Sequence, residues 1–224
     1  MATVIRGASQ KPYRVVLPES GSWSLHDLYV FPHAYEQCYA FIYCLDTELP
    51  ARDIEAIDYA VLNYPWKGGY SYVNFYAVLQ RQVPVKDRPK IKSIHKASPG
   101  WIDLILNLDA AKQVALAVAT LSGATAAAAA AYAKAYKILL SLKTERARAR
   151  SQQLQLTQAQ IKSMRGTCDE LAKAMGFKSL AELNHKTGNI EVSMKLLAAQ
   201  YRRMKTLVEF EQKNKAVLPF DGDT

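Results

Sequence analysis

The stretch QVALAVATLSGATAAAAAAYA, residues 113–133, carries no charge and lies between Lys112 and Lys134. As a helix its 21 residues reach about 31 Å, enough to cross the hydrocarbon core of a bilayer. Lys134, Lys137, Lys143, Arg146, Arg148 and Arg150 follow it against the single acid Glu145, as after a stop-transfer segment. The residue types argue the other way. The large aliphatics are only Val114, Leu116, Val118 and Leu121, and the run Ala126 to Ala131 is nearly neutral for insertion. Small residues instead let two helix backbones approach closely. The expectation is therefore a close-packed helix, with Leu121, Ala124, Ala128, Ala131 and Tyr132 as the assembly interface. Its partner is either the C-terminal helices or a second subunit.

Downstream the chain reads as helical. No proline occurs between Pro99 and Pro219, and alanine, leucine, lysine, glutamine and arginine dominate. Asp109 is expected to cap a helix running to about Gln152. Leu154, Ile161, Met164, Cys168, Leu171 and Met175 form a heptad-like stripe that ends at Gly176, a residue suited to a C-terminal cap. Ile190, Met194, Leu197, Tyr201, Met204 and Val208 form a second, so the pair reads as a coiled-coil-like hairpin. A short helix starts at Ser179, Thr187-Gly188-Asn189 is a turn, and the tail beyond Lys215 reads as loose.

Upstream the pattern is mixed. Arg14 to Leu17 and Leu25 to Phe31 read as short strands. Helices are expected from Pro32 to about Asp46, after Pro50, and from Ser71 to Val83. Residues 90–107 read as a β-hairpin, because Ile102, Leu104 and Leu106 alternate with Trp101, Asp103 and Ile105, and Pro99-Gly100 suits a type II turn. Its first arm is positive: Arg81 to Lys96 holds six basic residues and one acid, Asp87. The fold expected is an α+β, tyrosine-rich domain over 1–108, followed by a long-helix domain over 109–224.

Ten of the 13 tyrosines lie in residues 1–76. Tyrosine buries a ring while its hydroxyl needs a partner, which suits half-wet surfaces. Tyr64, Trp66, Tyr70 and Tyr72, in the densest aromatic segment, are the expected partner surface. The formal net charge is +9, of which +8 falls in residues 109–224. Lys134, Lys137, Arg146, Arg148 and Arg150 are therefore the expected contacts to an anionic partner. Three cysteines without a CxxC pair, and no apolar leader, point to a reducing compartment. The expected location is cytoplasmic, with membrane association as the alternative.

No pattern supplies chemistry. His26, Asp27, His33 and Cys38 have no metal-site spacing, so no metal, cofactor or catalytic residue is assigned. Glu170 to Lys186 has the outline of a helix-turn-helix, with Lys178, Asn184, His185 and Lys186 on or near its second element. The function expected is a non-enzymatic assembly and interaction protein. It would form a homo-oligomer through its helical half and bind a protein partner through its tyrosine-rich half. A membrane-acting effector that lays residues 113–133 on anionic lipid is the alternative, and a basic nucleic-acid binder is third.

Overall fold

A computed structural model describes residues 12–19, 22–45, 51–63, 72–149, 155–177 and 180–220. The elements run β1 (Tyr13–Leu17), α1 (Leu25–Leu45), α2 (Ala51–Asn63), α3 (Tyr72–Gln82), β2 (Lys90–His95), β3 (Gly100–Ile105), α4 (Leu108–Gly123), α5 (Thr125–Arg148), α6 (Gln158–Ala174), α7 (Leu180–Thr187) and α8 (Ile190–Gln212). The fold is mostly helical α+β, with one antiparallel three-stranded sheet in the order β1-β3-β2.

Two helices hold the core. In α1 every residue from Ala34 to Cys44 except Glu36 is buried, the signature of a helix enclosed on all sides. In α8 Met194, Leu197, Tyr201, Met204 and Val208 are buried, but so are Leu196, Ala199, Leu207 and Phe210. One narrow seam therefore does not describe α8, which packs against α1, α4, α5, α6 and α7. Asn189 caps it, its side-chain oxygen accepting from the backbone N–H groups of Glu191 and Val192.

The uncharged stretch is not one helix. It breaks at Gly123–Ala124, and α4 and α5 meet at 92°. Alanine favours helix on both sides of the break, and Gly123, about 1 kcal/mol worse than alanine within a helix, is the one local sign of it. The bend lets α4 lie against α1 and α8 while α5 crosses α6 and α8. The cap at the start of α4 is Asn107, whose side chain accepts from Ala110 N–H, and not Asp109.

Three further expectations need correction. Leu25 to Phe31 is helix, not strand. Ser24 and Asp27 cap α1 reciprocally: Ser24 N–H and hydroxyl donate to the Asp27 carboxylate and Asp27 N–H donates to Ser24 Oγ. Pro32 consequently lies inside α1 rather than at its start. The turn of the hairpin contains a cis Ser98–Pro99 peptide where a trans type II turn was expected. The described part of the tail beyond Lys215, residues 216–220, is pinned at Ala216 to Leu218, not loose, and residues 221–224 lie outside the described residues. Ala216 and Leu218 are buried, and Val217 exchanges two backbone hydrogen bonds with Val16 at the outer edge of β1.

Candidate functional site

The inner face of the sheet is set by register. Val15 lies opposite Ile102, Ile94 opposite Ile102, and Ile91 opposite Leu104. Ile91 and Ile94 are three residues apart and would point to opposite faces of a regular strand. A bulge between Ile91 and Ser93 inserts Lys92 and brings both onto the face of Ile102 and Leu104. Val15, Ile102 and Leu104 are buried, yet Ile91 and Ile94 are 56% and 53% exposed. The helical layer covers β1 and β3 and stops short of β2.

Above this face stands α1. Phe31 and Tyr35 form one row at i, i+4 spacing and Pro32 and Glu36 the next. A cleft of about 180 Å³ lies between α1 and the sheet, lined by Val15, Phe31, Pro32, Tyr35, Glu36, Pro89, Ile91, Ile102 and Leu104. For scale, a ~150 Å³ apolar cavity accepts a benzene-sized ring. The wall is a stacked aromatic ladder, Tyr35 lying 6.4 Å from Tyr13, 6.2 Å from Phe31 and 6.4 Å from Tyr39. The hydroxyls of Tyr13 and Tyr35 have no hydrogen-bond partner among the described residues. Burial pushes both phenols far above their ordinary range.

Among the described residues that line the cleft, Glu36 is the only carboxylate. Its β2 rim is basic, with Lys86, Lys90, Lys92 and Lys96 all exposed. On the opposite face of the sheet Arg14 donates to Asp103 at 2.8 Å, and Ser93 donates to the same carboxylate at 2.9 Å. The Arg14 guanidinium holds that carboxyl below its usual range. Trp101 lies 4.8 Å under the Arg14 guanidinium and stacks on His95 at 4.6 Å. The outer face is thus occupied by its own contacts, and the inner face at β2 is open. Apolar walls, one acid and no nucleophile suit the cleft to holding an apolar side chain. Among the described residues no group of three or more His, Cys, Asp or Glu could hold a metal ion. Cys38, Cys44 and Cys168 are free and buried, and burial raises the thiols of Cys44 and Cys168 to about 12.

The residues singled out from the sequence lie elsewhere. Tyr64, Trp66, Tyr70 and Arg150 fall outside the described residues, and Tyr72 begins α3 with its side chain undescribed. Leu121, Ala128 and Ala131 are buried within the chain and Ala124 is half-buried. Tyr132 stacks on Tyr201 of α8 at 4.8 Å and accepts a hydrogen bond from Arg202. Lys134 pairs with Glu170 at 3.0 Å, and Arg146 holds Glu191. Lys137 and Arg148 are exposed. In the helix-turn-helix outline Lys186 is buried and paired with Asp58 at 2.8 Å, while Lys178 lies outside the described residues.

Sequence reasoning found the basic arm of the hairpin but not its two outward isoleucines. The available signal was the three-residue spacing of Ile91 and Ile94, which makes sense on one face only with a bulge. No single helix among the described residues is long and apolar enough to cross a membrane, though the bent pair α4–α5 passes that test of length and composition jointly. Compared with protein-family models, with curated proteins and with solved structures, the chain matches none.

Proposed function

We propose that the chain is a non-enzymatic interaction protein that captures a protein partner at the cleft between α1 and the sheet. The observation that carries this is the uncovered inner face of β2. Two isoleucines in register with the core strand remain half exposed beside an apolar cleft of about 180 Å³. Burying them would remove apolar area worth about 1.5–3 kcal/mol for each side chain fully covered. The test is selection from a random-peptide display library on the intact protein and on its Ile91→Arg and Ile94→Arg variants. Peptides enriched by the wild type and lost by the variants support the reading. Enrichment that is identical on all three ends it.

Self-association belongs to the same proposal, but Leu121, Ala128 and Ala131 are already covered by the chain itself. The large apolar residues that α5 leaves exposed are Tyr136 and Leu140. A monomeric mass by light scattering at high concentration removes this part.

The second reading is membrane action by α4–α5, supported by the joint length and composition of that pair. Val114, Ala115, Val118 and Leu121 are buried, so α4 would have to leave the core to meet lipid. Flotation with anionic vesicles that weakens with salt favours it. Nucleic-acid binding stands third, resting on the net charge, and absence of any shift on DNA at low salt ends it.

A further inference from the structure

Building on that reading of the cleft, we infer that the partner segment is an acidic, extended peptide that adds to the outer edge of β2 as a fourth strand and places one large apolar side chain in the cleft. Three observations converge on it.

The first is the edge. In the order β1-β3-β2 the outer strands have different fates. The edge of β1 is closed by Val217, whereas no strand among the described residues pairs with the far side of β2. An edge strand offers a row of backbone donors and acceptors that an extended peptide can complete.

The second is the side-chain pattern. A strand laid beside β2 directs alternate residues to the inner face, next to Ile91 and Ile94. A residue at that position enters the cleft bounded by Pro89, Phe31 and Pro32, whose volume suits one branched or aromatic side chain. The exposed isoleucines thus become part of a continued apolar layer.

The third is charge, and it selects the occupant. Lys90 and Lys92 on β2 and Lys96 just beyond it are exposed, as is Lys86 in the turn before it, and the intervening acid, Asp87, accepts a hydrogen bond from Tyr43 on α1. A second copy pairing edge to edge would set these lysines against one another, and like charges directly opposite destabilise a strand pair. A strand bearing Asp or Glu at its outer-face positions satisfies them instead, and such a contact weakens with salt.

The test is fluorescence anisotropy of the intact protein with three synthetic peptides: one alternating Glu with Ile or Val around a central Phe, its scramble of equal composition, and its Glu→Lys counterpart. The alternating acidic peptide is expected to bind at least tenfold more tightly than either control. Lys90→Glu/Lys92→Glu should lower its affinity at least tenfold and Ile94→Arg should abolish binding, with circular dichroism and melting temperature unchanged because these positions are exposed. Equal affinity for the scramble, or for the lysine counterpart, overturns the inference. If display selection yields peptides lost by Ile91→Arg but lacking acids, the acidic strand is wrong while capture at the cleft stands. If nothing selected depends on Ile91 or Ile94, both fall.

Discussion

Arg146 grips Glu191 with both terminal guanidinium nitrogens, at 2.8 and 2.7 Å, and so fastens the last turn of α5 to the first turn of α8. Lys195 reaches the same carboxylate at 2.6 Å. Burial alone would push the Glu191 carboxyl up, but the hydrogen bonds from Arg146 and Lys195 outweigh it and hold the group at about 2. Bidentate pairing of this kind is stronger than a single exposed ion pair.

Arg146→Ala should therefore destabilise the chain by about 1–3 kcal/mol, because it leaves a mostly buried carboxylate short of donors. Urea denaturation at pH 7 reads the loss. The pH dependence has a definite sign. A carboxyl whose folded value is depressed contributes stability above its unfolded value, and that contribution is lost as pH falls from 4.5 through about 2. In Glu191→Gln the acid-dependent part of the loss over that window should shrink.

Ala128 and Ala126 lie on opposite sides of α5, the first buried and the second exposed. Arginine at 128 forces a charge into the contact of α5 with α6 and α8, and should cost about 3–5 kcal/mol. Ala126→Arg should stay within about 0.5 kcal/mol of the parent. Thermal melts of the two variants give the comparison, and equal melting temperatures would refute the intramolecular packing of this stretch.

Gly176 has φ +75°, and a Cβ there would lie 3.2 Å from Thr120 Oγ1. Both the left-handed backbone and the close approach of α4 require glycine. Gly176→Ala should cost about 1–3 kcal/mol. Gly176→Ala paired with Thr120→Ser should recover little, since Oγ and Cβ of residue 120 keep the two closest contacts and the left-handed backbone is unrelieved.

Gly123 behaves differently although it sits at the 92° bend. A Cβ there meets nothing within 4 Å, and its φ is not positive. The bend is held by the packing of the two helices rather than by glycine's freedom. Gly123→Ala should be neutral or stabilise by up to about 1 kcal/mol, read by thermal denaturation with the helical signal unchanged.

Local order was legible where a residue's own neighbours decide it. Alternation of Ile102, Leu104 and Leu106 marks β3, and the spacing picks out buried Met164, Cys168, Leu171 and Met175 along α6 and its C-cap and Met194, Leu197, Tyr201, Met204 and Val208 along α8, while Ile161 and Ile190 are half-buried and Leu154 lies outside the described residues. The start of α1 was misread because Tyr29, Val30 and Phe31 suit a strand, and Pro32 looked like a first-turn residue. The Ser24–Asp27 reciprocal cap was the local sign that decides otherwise. The bend between α4 and α5 has only Gly123 as a local sign, and a lone glycine does not tell a bend from a continuous helix; the angle is set by the helices against which the two pack. The cleft was illegible for a similar reason. It exists because β1 pairs with β3 across some 85 residues of sequence and because Ile91 and Ile94 of β2 stay half exposed beside α1 while Val15, Ile102 and Leu104 are buried. The basic arm of β2 showed in composition, whereas its uncovered face depends on a bulge at Lys92 and on where a distant helix stops.

The short bridge between Val16 and Val217 also dictates when the outer edge of β1 can close. During synthesis β1 and every described helix emerge before the residues that close the outer edge of β1. Until then that edge is a second open ladder beside that of β2, so among the described residues a chain still lacking Val217 offers a foreign strand two edges where the folded one offers one. Chains stopped shortly after α8 should be the ones that clump, even though every helix of the core is present in them.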